Sequence, residues 1–235
     1  MDVDQIRAAF LDATSLVDRL REFRLERLKK FSLGQKPKAI LHLIPETFLS
    51  PGTRVELGEA NHQRLLDMRG NWVDASQLAF NFDGVALVDS ERVPQMQVFR
   101  SGIIEVVLTN PFWDFSNSGA RTKCLSGTML ERAIVHIVGS GTSLLEAVGT
   151  TGSVWVLLTL AHVGHHRIAD NAEQVYLGSR DKKIDRSQLM FPELLIESRE
   201  TDLPIALRPL FDQIWNSGGH YSSCNYTSDG IWKLS

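Results

Sequence analysis

The most constraining feature of the chain is a short apolar segment at 38–46, KAILHLIPE, in which only His42 interrupts a run of aliphatic side chains. Pro37 and Pro45 flank this run. A continuous apolar run of this length, bounded by prolines, is typical of a strand that is buried on both faces. The segment SVWVLLTLA at 153–161 has the same character. We therefore expect these two strands to lie at the centre of one sheet.

The region between these strands predicts an antiparallel meander. Residues 77–82 alternate apolar and polar side chains, and Asp83-Gly84 supplies a hairpin turn before the chain returns at 85–88. A second hairpin is predicted at 94–108, around Arg100-Ser101-Gly102. The fold class expected from these patterns is α+β, with a mainly antiparallel sheet, helices packed on it and a long N-terminal helix.

Other segments have weaker patterns. Helices are predicted at 2–33, at 61–68, at 125–148 with a break at Gly139-Ser140-Gly141, and at 207–216. Short strands are predicted at 54–57 and 189–196. The turn-forming residues of 110–124 predict a loop, and we expect its three aromatic side chains to pack as a small satellite core.

The expected organisation is an N-terminal helix over 1–34, acting as a connector or an oligomerisation element, and a single α+β domain over 35–235. The second half of the helix is basic. Residues 19–30 carry a local charge of +4, which leaves −7 for the rest of the chain. The basic residues are Arg19, Arg21, Arg24, Arg27, Lys29 and Lys30. They could follow a phosphate backbone of DNA or RNA, but Glu22 and Glu26 neutralise part of the same segment, so a solvated charged face is the simpler interpretation.

Composition limits the setting in which the chain works. The net charge of −3 indicates that the chain as a whole is not a polycation of the kind that binds nucleic acid. Two cysteines in 235 residues imply no disulfide framework, and the acidic N-terminus lacks a signal peptide, so we expect a cytoplasmic protein. No apolar run is long enough to span a bilayer, and no membrane partner is expected. We expect a protein partner, or self-association through the N-terminal helix.

Candidate catalytic chemistry is sparse. His162, His165 and His166 follow the second buried strand and could bind a transition metal, with Asp170 or Cys124 completing the set. The glycine-rich segment at 139–143 could cradle a phosphate, but no lysine follows it, and a kinked or broken helix is the simpler interpretation. No GxSxG motif or paired carboxylates occur. We therefore expect no cofactor and lean against an enzyme.

Several segments occur together in a recognisable order. They are REFRLERLKK at 21–30, KPKAILHLIP at 36–45, NFDG at 81–84, QVFRSGIIE at 97–105, and LFDQIWNSGG with SSCNYTSDGIW at 210–232. In this order they resemble the region that follows the Schlafen-type AlbA-like domain in bacterial proteins described as DNA-binding or ATP-binding. The resemblance covers nearly the whole chain.

This resemblance implies a C-terminal binding or regulatory module of a nucleic-acid-associated protein, related to transcription or defence. In the family the AlbA-like domain comes first and is the part associated with nucleic-acid handling. No residue here matches its catalytic positions, so none is carried over, and the resemblance implies no nuclease or ATPase activity for this chain. The tail departs from the family pattern at Ser217-Gly218-Gly219 and at Thr227.

Overall fold

The computed structural model describes residues 3–31, 35–49, 54–58, 61–75, 77–117, 119–177, 182–198 and 200–234, with side chains from residue 16 onward except that of residue 49. The chain forms two compact units, Met1–Lys36 and Pro37–Ser235. The first unit contains helix α1 (Val3–Phe31). Within it, the guanidinium of Arg21 lies 3.9 Å from the carboxylate of Asp18, one helical turn earlier.

The second unit holds the remaining elements. In chain order they are β1 (Lys38–Pro45), a 3₁₀ helix (Glu46–Leu49), α2 (His62–Arg69), β2 (Gln77–Phe80), β3 (Gly84–Val88), β4 (Pro94–Phe99), β5 (Ile104–Leu108), β6 (Phe112–Asn117), β7 (Ala120–Leu125), α3 (Gly127–Ala147), β8 (Val154–Ala161), β9 (Arg167–Ile168), α4 (Ala172–Leu177), β10 (Gln188–Met190), β11 (Leu194–Ile196) and α5 (Leu203–Ser217). The predicted α+β class is confirmed.

An eight-stranded sheet forms the centre of this unit. Its strand order is β10-β8-β1-β5-β4-β3-β2, and β11 also pairs with β8. Every pairing in this sheet is antiparallel. The two long buried strands, β1 and β8, both lie inside the sheet and are direct neighbours, while the middle of the strand order is β5. The predicted meander is also confirmed, because β2, β3, β4 and β5 follow one another in the sheet.

The sheet carries a polar pair near its middle. His42 of β1 lies opposite Glu105 of β5, and the imidazole Nε2 is 2.9 Å from the carboxylate Oε2. The apolar segment that defines β1 therefore meets a carboxylate at its one polar position. Buried polar groups of this kind need a partner, and this pairing supplies one.

The helix predicted over 125–148 is observed as one continuous helix, α3 (Gly127–Ala147), without the interruption that the sequence predicts. Gly139 and Gly141 lie inside α3, and the hydroxyls of Thr142 and Ser143 donate to the carbonyl of Gly139 at 2.9 and 3.0 Å. A Cβ on Gly141 would lie 2.3 Å from Cδ1 of Leu43. The glycine is needed because helix and sheet approach closely there. The segment at 139–143 is therefore continuous helix and forms no phosphate-cradling turn.

The predicted loop at 110–124 is wrong: it is a hairpin of β6 and β7, which with β9 forms a second sheet. Asn110 and Pro111 precede β6, and Gly119 lies at the tip of the hairpin, beside the paired Asn117 and Ala120. The expectation of a satellite core is confirmed for two of the three aromatic side chains, whereas Phe112 packs against the main core. Trp113 and Phe115 pack against a small cluster of buried side chains: Cys124, Ala169 and Val175.

Two short strands also differ from expectation. Residues 54–57 form no strand, and the amide of Val55 instead donates to the carbonyl of Arg100 at 2.8 Å. The single strand predicted at 189–196 is split into β10 and β11, because Pro192 offers no amide for the ladder. The predicted helices at 61–68 and 207–216 are confirmed as α2 and α5. No helix within the described ranges combines the length and apolar character needed to cross a membrane.

Candidate functional site

The basic residues of α1 differ in their exposure. Four of them lie at the surface: Arg19, Arg21, Lys29 and Lys30. Arg27 is half-buried, and Arg24 is only 3 % exposed. The helix therefore carries four exposed cations, and one of them, Arg21, is close to Asp18.

The three histidines predicted as metal ligands are not brought together. His162 and His165 have positive φ angles of 60° and 66°, so the chain turns sharply between them. His166 is buried, and its Nδ1 donates to the carbonyl of Val163 at 2.9 Å. Burial lowers the pKa of His166 below its ordinary value. Across the described residues, no three His, Cys, Asp or Glu side chains come together to hold a metal ion.

Asp170, the carboxylate considered for that metal, has a structural role. Its oxygens accept from the hydroxyl of Ser126 at 2.8 Å and from the hydroxyl of Thr128 at 2.8 Å. They also accept from the amide of Thr128 at 3.0 Å. Ser126 caps α3 by accepting from the amide of Met129. Asp170 therefore places a carboxylate at the positive end of α3, which stabilises the helix.

The carboxylate of Glu131 in α3 also has a structural role, and this residue has no solvent exposure. Its Oε1 accepts from the indole of Trp215 at 2.7 Å and from the hydroxyl of Ser223 at 2.6 Å. Its Oε2 accepts from the indole of Trp232 at 3.1 Å. The carboxylate is occupied by three donors, so its role is to hold the C-terminal tail against α3. No local sequence pattern indicates this role, because Glu131 stands among the buried aliphatic residues of a helix.

A shallow cleft of about 190 Å³ lies where α3 ends and β8 begins. Its polar lining includes Thr142, Glu146, Thr150, Glu197 and Ser198. Both carboxylates are exposed, and the lining contains no Cys, His or Lys. The cleft is also smaller than the ~300–1,000 Å³ of ordinary ligand pockets.

The surface feature that stands apart is the aromatic tip, by which we mean residues 81–84 of the hairpin between β2 and β3. The Phe82 side chain is 95 % exposed. The turn is closed by hydrogen bonds between the backbones of Asn81 and Gly84, at 3.0 and 3.3 Å. The side chain of Asn81 also accepts from the amide of Gly84 at 2.8 Å. A short turn with this many bonds holds one conformation.

Arg100, in the turn between β4 and β5, forms two hydrogen bonds to the backbone of the aromatic tip. The amide of Arg100 donates to the carbonyl of Asp83 at 2.8 Å, and its guanidinium Nε donates to the carbonyl of Phe82 at 3.3 Å. A Cβ on Gly84 would lie 2.1 Å from the carbonyl oxygen of Val98, so only glycine fits this approach. The tip is thus held on both sides while its phenylalanine remains in solvent.

A polar side-chain contact connects the tip to the sheet. The amide of Asn81 donates to Oε1 of Gln97 at 2.8 Å, and Gln97 is buried beside Glu105 on the adjacent strand. Phe80, at the end of β2, is also exposed, and its ring lies 5.6 Å from that of His62. The result is a fixed pair of exposed phenylalanines at one corner of the sheet. The sequence showed the turn but not its exposed aromatic side chain.

No family model, curated protein or solved structure matches this chain.

Proposed function

We propose that the chain is a non-catalytic binding and regulatory module of a cytoplasmic, nucleic-acid-associated bacterial protein of the Schlafen-like group, related to transcription or defence. The order of the resembling segments supports the family. The carboxylates of Glu131 and Asp170 are occupied by hydrogen-bond donors that hold the fold together, and among the described side chains no metal cluster forms at the three histidines, which fits a binding role. Helix α1 serves in this proposal as the connector or as an oligomerisation element.

The observation that carries the proposal is the exposure of the Phe82 side chain on an ordered turn. Leaving a phenylalanine in water forgoes about 1.5–3 kcal/mol of burial, and here the backbone beneath it is fixed by five hydrogen bonds. A pre-ordered aromatic side chain loses little conformational freedom on binding, and aromatic anchors dominate many interfaces. We infer that Phe82 is the anchor with which the module docks on a protein partner, and that the AlbA-like domain is that partner.

Calorimetric titration tests this proposal. The probe is the AlbA-like domain of a bacterial Schlafen-like protein, produced separately and titrated with the full chain. We expect Phe82→Ala to lower the affinity at least tenfold, about 1.4 kcal/mol. Tyr221→Ala is the matched control, since Tyr221 is equally exposed and lies in the C-terminal tail. Absence of binding, or equal losses in both variants, would contradict the proposal.

A second candidate function is direct binding of DNA or RNA through α1, which the four exposed cations favour. Fluorescence anisotropy with labelled duplex DNA and single-stranded RNA at two salt concentrations tests it. Each phosphate-contacting cation that is removed should reduce the salt slope by about one unit. Lys30→Glu should therefore weaken binding, whereas Lys233→Glu, the same charge change on an exposed residue of the tail, should not. No binding at low salt would rule this function out.

The third candidate, a metal-dependent enzyme using His162, His165 and His166, receives no support from the arrangement of these side chains.

A further inference from the structure

Strand β2 is the last strand at one end of the large sheet. It pairs with β3 in a register that places Ala79 opposite Ala86. The pair Asn81 and Gly84 exchanges both backbone hydrogen bonds. Because such pairs alternate along an antiparallel ladder, Ala79 also bonds toward β3, whereas the amides and carbonyls of Leu78 and Phe80 point away from it. No other described strand lies on that side of β2.

This open edge is short, at four residues, but it lacks the charges, prolines and bulges with which proteins usually prevent strand pairing. Proteins protect such edges with lysine, proline or a bulge on the edge strand. Gln77–Phe80 contains no charged residue and no proline, and its pairing with β3 is regular. Phe80 is more than half exposed. The edge is therefore chemically suited to receive another strand.

We propose that the occupant of this edge is a second copy of the same chain, with β2 paired antiparallel to β2 about a two-fold axis at Ala79. In this register Leu78 of each copy lies opposite Phe80 of the other. Both residues direct their amide and carbonyl outward, so the two pairs form four hydrogen bonds. The result is one continuous sheet through both molecules.

The edge is self-complementary, which favours a second copy over an unrelated strand. Leu78 and Phe80 lie on one face and would form two apolar cross-strand pairs, one on each side of the axis. Ala79 falls at the axis, in a non-hydrogen-bonded pair where the chains approach most closely, and its side chain is small. Since the strand carries no charge, pairing identical copies brings no like charges together.

A four-residue strand makes a small interface, so the dimer should be weak and is best measured at high concentration. In sedimentation velocity of the full chain, the average mass should rise with concentration. Phe80→Lys should abolish this rise by placing a charge on the edge. Phe80→Pro should do the same, since the amide it removes points away from β3 and takes no part in the fold. Thermal unfolding would verify that both variants are folded.

Ile205→Lys is the matched control for these variants. Ile205 is as exposed as Phe80 but lies in α5, outside the proposed ladder, so the same change there should leave self-association unchanged. Variants at Phe80 and at Phe82 also separate this inference from the proposed function. Loss of docking in the Phe82 variants concerns the partner, whereas loss of the dimer in the Phe80 variants concerns the edge.

Disulfide trapping tests the register. In a Cys224→Ser background, Ala79→Cys should form a dimer under mild oxidation, because the two Cα atoms would lie about 4.5 Å apart, within reach of a disulfide. Gln77→Cys should not, since residues 77 of the two copies would be separated by four positions, about 13 Å along the strands. A chain that stays monomeric at high concentration, with no preference for trapping at position 79, would overturn the proposal. So would a monomer in which Phe80→Lys blocks binding of the AlbA-like domain, because the edge would then serve a partner strand.

Discussion

The indole nitrogen of Trp232 donates to the carboxylate of Glu131 at 3.1 Å, although the two residues are 101 positions apart in the chain. Trp215 and Ser223 share the other oxygen of this carboxylate. One buried side chain of α3 therefore fixes α5 and two points of the C-terminal tail. This arrangement gives a physical reason for the tryptophans and the serine of residues 210–232.

Glu131→Gln should destabilise the protein by about 1–3 kcal/mol. A glutamine amide retains one acceptor oxygen but turns its NH₂ group toward a donor, so one donor loses its partner. Trp232→Phe removes that donor, and the double variant should be less destabilised than the sum of the two single variants. Urea unfolding of the four proteins measures this coupling. Strict additivity would show that the two side chains do not interact.

Gly141→Ala should destabilise α3 against the sheet by about 1–3 kcal/mol, because the new Cβ would overlap Cδ1 of Leu43. Gly139→Ala is the matched control in the same helix. A Cβ there would lie 3.3 Å from Leu203, and alanine is the better helix former by about 1 kcal/mol. Thermal unfolding should therefore show a lower midpoint for the first variant and an unchanged or higher midpoint for the second. The opposite order would contradict the close contact.

The two cysteines should differ sharply in their reaction with a thiol reagent. Burial raises the pKa of the Cys124 thiol to about 11, and the residue has no solvent exposure. Cys224 is exposed. Burial raises the pKa of the Cys224 thiol as well, so the contrast rests on access: only the exposed thiol meets the reagent. We therefore expect one fast equivalent per native chain and a second only after unfolding. Cys224→Ser should remove the fast equivalent, and a fast phase that persists in this variant would contradict the burial of Cys124.

Stability should fall as the pH falls below about 6.5, the ordinary pKa of histidine. Burial lowers the pKa values of His166 and His220 in the folded protein, so the unfolded chain binds protons first on acidification. Their contribution is present above the unfolded pKa and is lost as the pH decreases through it, by at most about 1.4 kcal/mol per pH unit for each group. Urea unfolding across this range should show a shallower slope for His166→Asn. An unchanged slope would contradict this account.

Much of the large sheet could be predicted from the sequence because its strands have strong local patterns. The apolar run around His42 and the run that becomes β8 had to be buried on both faces, and the alternation in β2 with the Asp83-Gly84 turn marked a hairpin. The interruption of α3 was predicted wrongly. Glycine propensity disfavours a helix there, but the close approach of Leu43 requires glycine, and tertiary packing overrides the local preference.

The features of the candidate site were less visible in the sequence. Glu131 is one of many scattered acidic residues, and its three donors come from positions 84 to 101 residues away. Phe82 is a large apolar residue, which from the sequence alone would be expected in a core. Its exposed position depends on the turn that the contacts from Arg100 hold in place. The edge at Phe80 depends on the strand order, which no local pattern determines.

The backbone order of the aromatic tip is the most direct test of the central claim that Phe82 is a pre-ordered docking anchor. Amide ¹⁵N relaxation of the full chain measures it. The hydrogen bonds from Asn81 and Arg100 predict order parameters of about 0.85 for Phe82 and Asp83, equal to those of the sheet, and lower values for Phe82 in Arg100→Ala. Values below about 0.6 in the wild-type protein would show a flexible turn and contradict the claim.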